Sequence, residues 1–150
     1  MDLSKNGNGY RLRPETLLDR KILDEACRET IAIYSGEIPM EDDGTQADYD
    51  QPVVELMGKV TSKKKGPIPL NSLELDNLLV ALDNFSDPRF AVRAIGSDIK
   101  KFGVLSNPKI EKRLGLGVEA ASIALDMRTQ RLELDDDATP EALGTTVENS

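Results

Sequence analysis

The sequence predicts an all-α or predominantly α domain, a compact bundle of four to five helices, on three observations. Aromatic residues are only 4% of the chain and Trp is absent, so a core must come from Leu, Ile, Val and Ala, which suits helices. Apolar residues recur at three- and four-residue intervals through most of the chain from Glu15 to Leu134. Helix-start chemistry is repeated, in Asn71 with Glu74, in Ser86-Asp87-Pro88 and in Ser106-Asn107-Pro108. A length of 150 residues corresponds to one ordinary domain. The expected organisation is a flexible N-terminus at 1–13, a single helical domain at 14–134 and a disordered acidic tail at 135–150.

Taken in order, the Asn- and Gly-punctuated first ten residues are expected to be mobile. From Glu15 to Tyr34, Leu18, Ile22, Leu23, Ala26, Cys27, Ile31, Ile33 and Tyr34 mark an amphipathic helix, with Pro14 at its start and Gly36 past its end. Leu17 and Ile33 widen its apolar face. Residues 37–52 combine Pro39, Gly44, Pro52 and an acid cluster and read as an acidic loop. The segment from Val53 to Leu70 reads either as a short helix with a basic loop or as an irregular hairpin, a run too short for periodicity to decide; Pro67 and Pro69 argue against a paired second strand and favour a short helix followed by an exposed, extended connector.

Asn71 and Glu74 then open a helix with Leu75, Leu78, Leu79, Leu82 and Phe85 on one face. Ser86-Asp87-Pro88 opens the next, carrying Phe90, Ala91, Ala94, Ile95, Ile99 and Phe102 and closed by Gly103. Ser106-Asn107-Pro108 opens a third, short one, and its likeness to Ser86-Asp87-Pro88 is explained by helix-start chemistry. Gly115 and Gly117 read as a helix-to-helix turn, followed by a last helix from Gly117 to Leu134. Its stripe is Val118, Ala121, Ser122, Leu125 and Leu132, with Ala120, Ala124 and Met127 beside it. The expected core includes Leu78, Leu82, Phe85, Ile95, Ile99, Phe102 and Leu125.

A net charge of −8 conceals a segregation. Residues 1–34 balance, 35–58 carry −7, 59–113 carry +5 and 114–150 carry −6. Surface potential follows local clustering, so this acidic protein can still present an anion-binding face. The candidate contacts to phosphate or to an acidic partner are Lys63, Lys64, Lys65, Arg89, Arg93, Lys100, Lys101, Lys109, Lys112 and Arg113. No aromatic residue is interleaved for base stacking, which would restrict such binding to backbone contacts.

Several chemistries are disfavoured. The chain has no histidine, which removes the usual general base near neutral pH and the commonest zinc ligand. The letters Gly115-Leu116-Gly117-Val118-Glu119-Ala120 match a dinucleotide fingerprint, but no strand precedes them. Asp42, Asp43, Asp48 and Asp50 lack the spacing of a calcium loop, since Gly44 is misplaced for one. Cys27 lies on the apolar face of the first helix, where a buried, inert thiol is expected, and a lone cysteine forms no internal disulfide. No run approaches the roughly 18 apolar residues needed to span a bilayer, and the first residues show no export signal, which points to the cytoplasm.

The expected function is therefore non-enzymatic, without metal or cofactor. It is that of a helical interaction or assembly subunit, docking to a protein partner or to further copies through apolar helix faces and complementary charged patches. The alternative is an accessory protein that binds nucleic-acid backbone non-specifically through the basic block 59–113.

Overall fold

A computed structural model of the chain describes residues 1–39, 48–63 and 66–138, with side-chain surroundings up to residue 136. Among the described residues the fold is predominantly α, with five helices and a small antiparallel sheet. Strands β1 (Asp2–Asn6) and β2 (Gly9–Arg13) form a hairpin, and β3 (Ile68–Leu70) pairs with β2. The helices are α1 (Leu17–Tyr34), α2 (Gln51–Ser62), α3 (Ser72–Ser86), α4 (Pro88–Phe102) and α5 (Asn107–Ala138).

Local capping chemistry sets the helix starts. The Thr16 side chain accepts from the Asp19 backbone N–H at 3.0 Å and caps α1, leaving Pro14 outside the helix. Asp50 caps α2, with Pro52 in the first turn. Asn71 and Glu74 form the full reciprocal capping box at the head of α3, with bonds of 2.7 and 2.9 Å. Asp87 both ends α3 and caps α4, and Gly103 closes α4.

One main core joins the sheet to four helices. Ile22, Leu23, Ala26 and Cys27 of α1 pack with Leu56, Met57 and Val60 of α2, Leu75, Leu78 and Leu82 of α3, and Ala120, Ile123, Ala124 and Met127 of α5. Leu3, Tyr10, Leu12, Ile68 and Leu70 close it from the sheet. α4 contributes only Ala91 and Ala94 as buried residues, and Ala94 sits in a separate small cluster with Ile33 and Ile38.

Five expectations are corrected. The first thirteen residues, expected to be flexible, form the hairpin. Gly7 takes φ 62° at the first central position of its two-residue turn, a conformation that glycine alone adopts without strain. Alternation then places Leu3, Tyr10 and Leu12 in the core, while Leu3 N–H donates to Gln130 Oε1 at 2.8 Å. The second correction is the connector after α2, which contains a paired strand despite Pro69. β3 lies at the sheet edge, where a missing N–H costs no ladder bond, and the Pro69 carbonyl accepts from Lys59 Nζ at 2.7 Å.

The acidic loop is shorter than expected, because Gln51 and Pro52 already belong to α2; residues 40–47 lie outside the described residues. Fourth, the turn at Gly115 and Gly117 and the short helix before it do not exist: α5 is one continuous helix of 32 residues. It also takes in residues 135–138 of the expected tail, held there by the Tyr10 hydroxyl, which donates to Asp135 at 2.5 Å. The rest of the tail, 139–150, lies outside the described residues. Last, of the seven expected core residues, Leu78, Leu82 and Phe85 are buried and Ile95 half-buried, but Ile99, Phe102 and Leu125 are exposed. The C-terminal half of α4 turns Ile99 and Phe102 to solvent, and α5 buries the stripe opposite to the one containing Leu125.

Candidate interaction surface

α5 has two apolar faces. One, with Leu116, Ala120, Ile123, Ala124 and Met127, is packed into the core. The other bears Leu114, Val118, Ala121, Leu125 and Leu132, all exposed; Val118, Leu125 and Leu132 retain 70%, 68% and 67% of their full accessibility. A helix with one packed and one bare apolar stripe is more hydrophobic than a monomer surface requires, and a row of large exposed apolar residues marks a docking surface. The row is interrupted at Arg128, whose guanidinium bonds to Asp83 of α3 at 2.6 Å. Next to Leu132, Val80 of α3 is also exposed and lines a shallow groove with it.

A second feature is a cleft of about 460 Å³ between α1, α4 and the start of α5. Its apolar lining is Ala94, Ile95, Phe102, Leu105 and Leu116. Lys101, Lys109, Lys112 and Arg113, all candidates from the sequence, line it together with Lys21 and Arg28 of α1. Sequence reasoning missed these two because α1 lies in the charge-balanced first block, and only the packing of α1 against α5 brings them near Lys112. Acids share the cleft. Arg113 reaches Glu29 through bonds of 2.6 and 2.9 Å, and Lys101 reaches Glu37 at 2.7 Å.

Arg113 is the structural member of this group. It is largely buried, its guanidinium stacks 3.7 Å from the centre of the Phe85 ring, and its Nη1 has no hydrogen-bond partner among the described residues. Burial pushes the Glu29 carboxyl above its ordinary range, with the Arg113 guanidinium offsetting only part of that. Lys112 sits at the rim beside Lys21, and the adjacent ammonium lowers its pKa.

The remaining basic candidates do not converge there. Arg89 is bound to Asp87 at 2.8 Å at the head of α4. Lys63 follows α2, while Arg93 and Lys100 are on α4 but do not line the cleft. Lys64 and Lys65 lie outside the described residues. No protein-family model matches this chain, nor does any curated protein or solved structure.

The other sequence features take structural roles. Cys27 is buried, and its thiol is pushed up to about 12 by burial and by Asp24. Of the acid cluster, Asp42 and Asp43 lie outside the described residues, and Asp50 is the α2 cap. The glycine motif at Gly115–Gly117 is helical and forms no phosphate loop. Among the described residues, no helix is long and apolar enough to cross a membrane.

Proposed function

We infer that this protein is a non-enzymatic docking subunit that works within a larger assembly. The observation that carries the reading is the bare stripe Leu114, Val118, Ala121, Leu125 and Leu132, on a helix whose other face already completes the core. Leaving three large side chains mostly in water forgoes on the order of 1.5–3 kcal/mol for each that a partner surface would cover. The charged residues around the stripe and the cleft add orientation and salt sensitivity more than affinity.

The test compares the wild-type chain with Val118→Glu for self-association by light scattering and for partner recovery from the native source. The exposed substitution preserves folding and abolishes association. A wild-type chain that stays monomeric at tens of micromolar and recovers no partner overturns the reading, as does association that Val118→Glu leaves intact.

A second reading, binding to nucleic-acid backbone, is favoured by one observation, the juxtaposition of Lys21 and Lys112 with Lys109 and Arg28 at the cleft. It now involves a smaller set of bases than the whole block 59–113, because Arg89, Lys101 and Arg113 are engaged with acids. A salt titration on RNA and DNA decides it. Backbone binding weakens steeply with salt and further with Lys112→Glu.

A further inference from the structure

We propose that the cleft between α1, α4 and the start of α5 is a binding site for a small phosphate monoester with an apolar body. This goes beyond the docking reading and does not depend on it, because the cleft and the bare stripe lie on opposite sides of α5. Lys109, Lys112 and Leu116 follow one another at helical spacing along the cleft side, whereas Leu114, Val118 and Leu125 lie on the other.

The space has the size and the walls of a small-molecule site. Its volume of about 460 Å³ falls in the roughly 300–1,000 Å³ range of such sites, which combine an apolar lining with a few convergent polar groups. Along its walls Leu116 is buried and Ile95 and Leu105 are half-buried. Phe102 lines the same cleft with 76% of its surface accessible, so its ring is available to lie against an apolar or aromatic ligand.

Six bases and four acids line the cleft, an excess of two positive charges. Glu29 and Glu37 are engaged by Arg113 and Lys101 at 2.6 and 2.7 Å, which leaves Glu25 and Asp98 to face four bases. Those bases, Lys21, Arg28, Lys109 and Lys112, form no salt bridge among the described residues. Two of them are set against each other: the ammonium groups of Lys21 and Lys112 are within hydrogen-bond reach, and Glu25 acts on Lys112 only from beyond salt-bridge distance. Like charges so close repel unless an anion stands between them. One turn before Lys112, Lys109 occupies the first turn of α5, where the dipole of the 32-residue helix disfavours a cation and favours an anion.

A phosphate monoester answers this arrangement better than a carboxylate or a nucleic-acid strand. It carries close to two negative charges at neutral pH and three terminal oxygens, enough to accept from ammonium groups on α1 and α5 together. A carboxylate brings one charge and two coplanar oxygens. A nucleic-acid diester brings one charge per phosphate, and backbone contact makes no use of the apolar walls.

Isothermal titration calorimetry of the full chain at low salt, with phenyl phosphate, inorganic phosphate and benzoate, provides the test. Phenyl phosphate is expected to saturate one site per chain and to bind at least about tenfold more tightly than either of the other two. Lys112→Gln is expected to weaken phenyl phosphate by about tenfold, and Phe102→Ala to bring its affinity down to that of inorganic phosphate. Both variants keep the far-UV circular dichroism of the wild type, and Leu125→Glu on the opposite face leaves binding intact. Absence of saturable binding by phenyl phosphate at millimolar concentration, equal affinity for inorganic phosphate or benzoate, or affinity unchanged in either Lys112→Gln or Phe102→Ala each overturns the proposal. So does an oligonucleotide without terminal phosphates that binds through Lys112 while phenyl phosphate does not, a result that supports the nucleic-acid reading in its place.

Discussion

The carbonyl oxygen of Phe85 lies 3.1 Å from where a Cβ on Gly117 would stand, so the first third of α5 rests directly on the C-terminal end of α3. Gly115, two residues earlier on the same helix, faces open space. The two glycines therefore respond oppositely to alanine. Gly115→Ala gains helix propensity and should stabilise the fold by about 0.5–1 kcal/mol. Gly117→Ala sets the same gain against a clash with backbone and with Arg113 Nη1 at 3.3 Å, and should destabilise by about 1 kcal/mol. Urea denaturation of the two variants checks this, and equal midpoints would contradict the close approach.

That contact also explains why the sequence suggests two helices where α5 is one. In sequence a Gly-x-Gly pair looks like a breaker, and the packing that makes one glycine necessary belongs to α3, which is remote in the chain. The helix starts at Asn71 and Asp87 were legible because capping is decided by residues within three positions of one another. The hairpin was not, because its contribution to the core is three residues, Leu3, Tyr10 and Leu12, among polar neighbours. The surface divides in the same way. Lys109, Lys112 and Arg113 were visible as a local run, whereas Lys21 and Arg28 join them only through tertiary packing.

The hairpin should be essential to the fold. Leu12 is fully buried against the helices, and Leu12→Ala should cost about 2–5 kcal/mol, in the same range as Leu82→Ala in the middle of α3. Phe102→Ala, at 76% exposure, should stay within about 0.5 kcal/mol of wild type. Thermal melts of the three variants provide the comparison. A Leu12→Ala chain as stable as wild type would mean that the N-terminus is dispensable after all.

Acidity should act on two carboxyls with opposite sign. Burial raises the Glu29 pKa above the usual 4.5, so the folded state holds that proton more tightly than the unfolded chain does. Its effect favours folding below the ordinary value, and stability is lost as pH rises from there through the raised folded value. Asp87 is shifted downwards by the guanidinium and backbone N–H of Arg89. Its contribution is present above the ordinary aspartate value and is lost as pH falls through the lower folded one. Glu29→Gln should therefore flatten the decline in melting temperature just above pH 4.5, and Asp87→Asn should flatten the decline in strong acid. The slope is the readout, because Glu29→Gln also leaves Arg113 without its charged partner. A Glu29→Gln profile parallel to wild type throughout would refute the assignment.

The two faces of α5 lead to the last prediction. Ile123 is 9% exposed and lies among the core residues of the bundle, whereas Leu125, two positions on, is 68% exposed on the bare stripe. Both are large aliphatic side chains, so composition and propensity do not separate them. Only the environment does. Truncating Ile123 to alanine leaves a cavity in addition to the lost transfer energy and should cost about 2–5 kcal/mol. Truncating Leu125 removes a side chain already in water and should change the stability of the single chain by no more than about 0.5 kcal/mol. The comparison is made by circular dichroism at sub-micromolar protein, where association contributes little to the apparent stability. Equal losses for the two variants at low concentration would mean that Leu125 is packed within its own chain, and the bare stripe would lose its central residue.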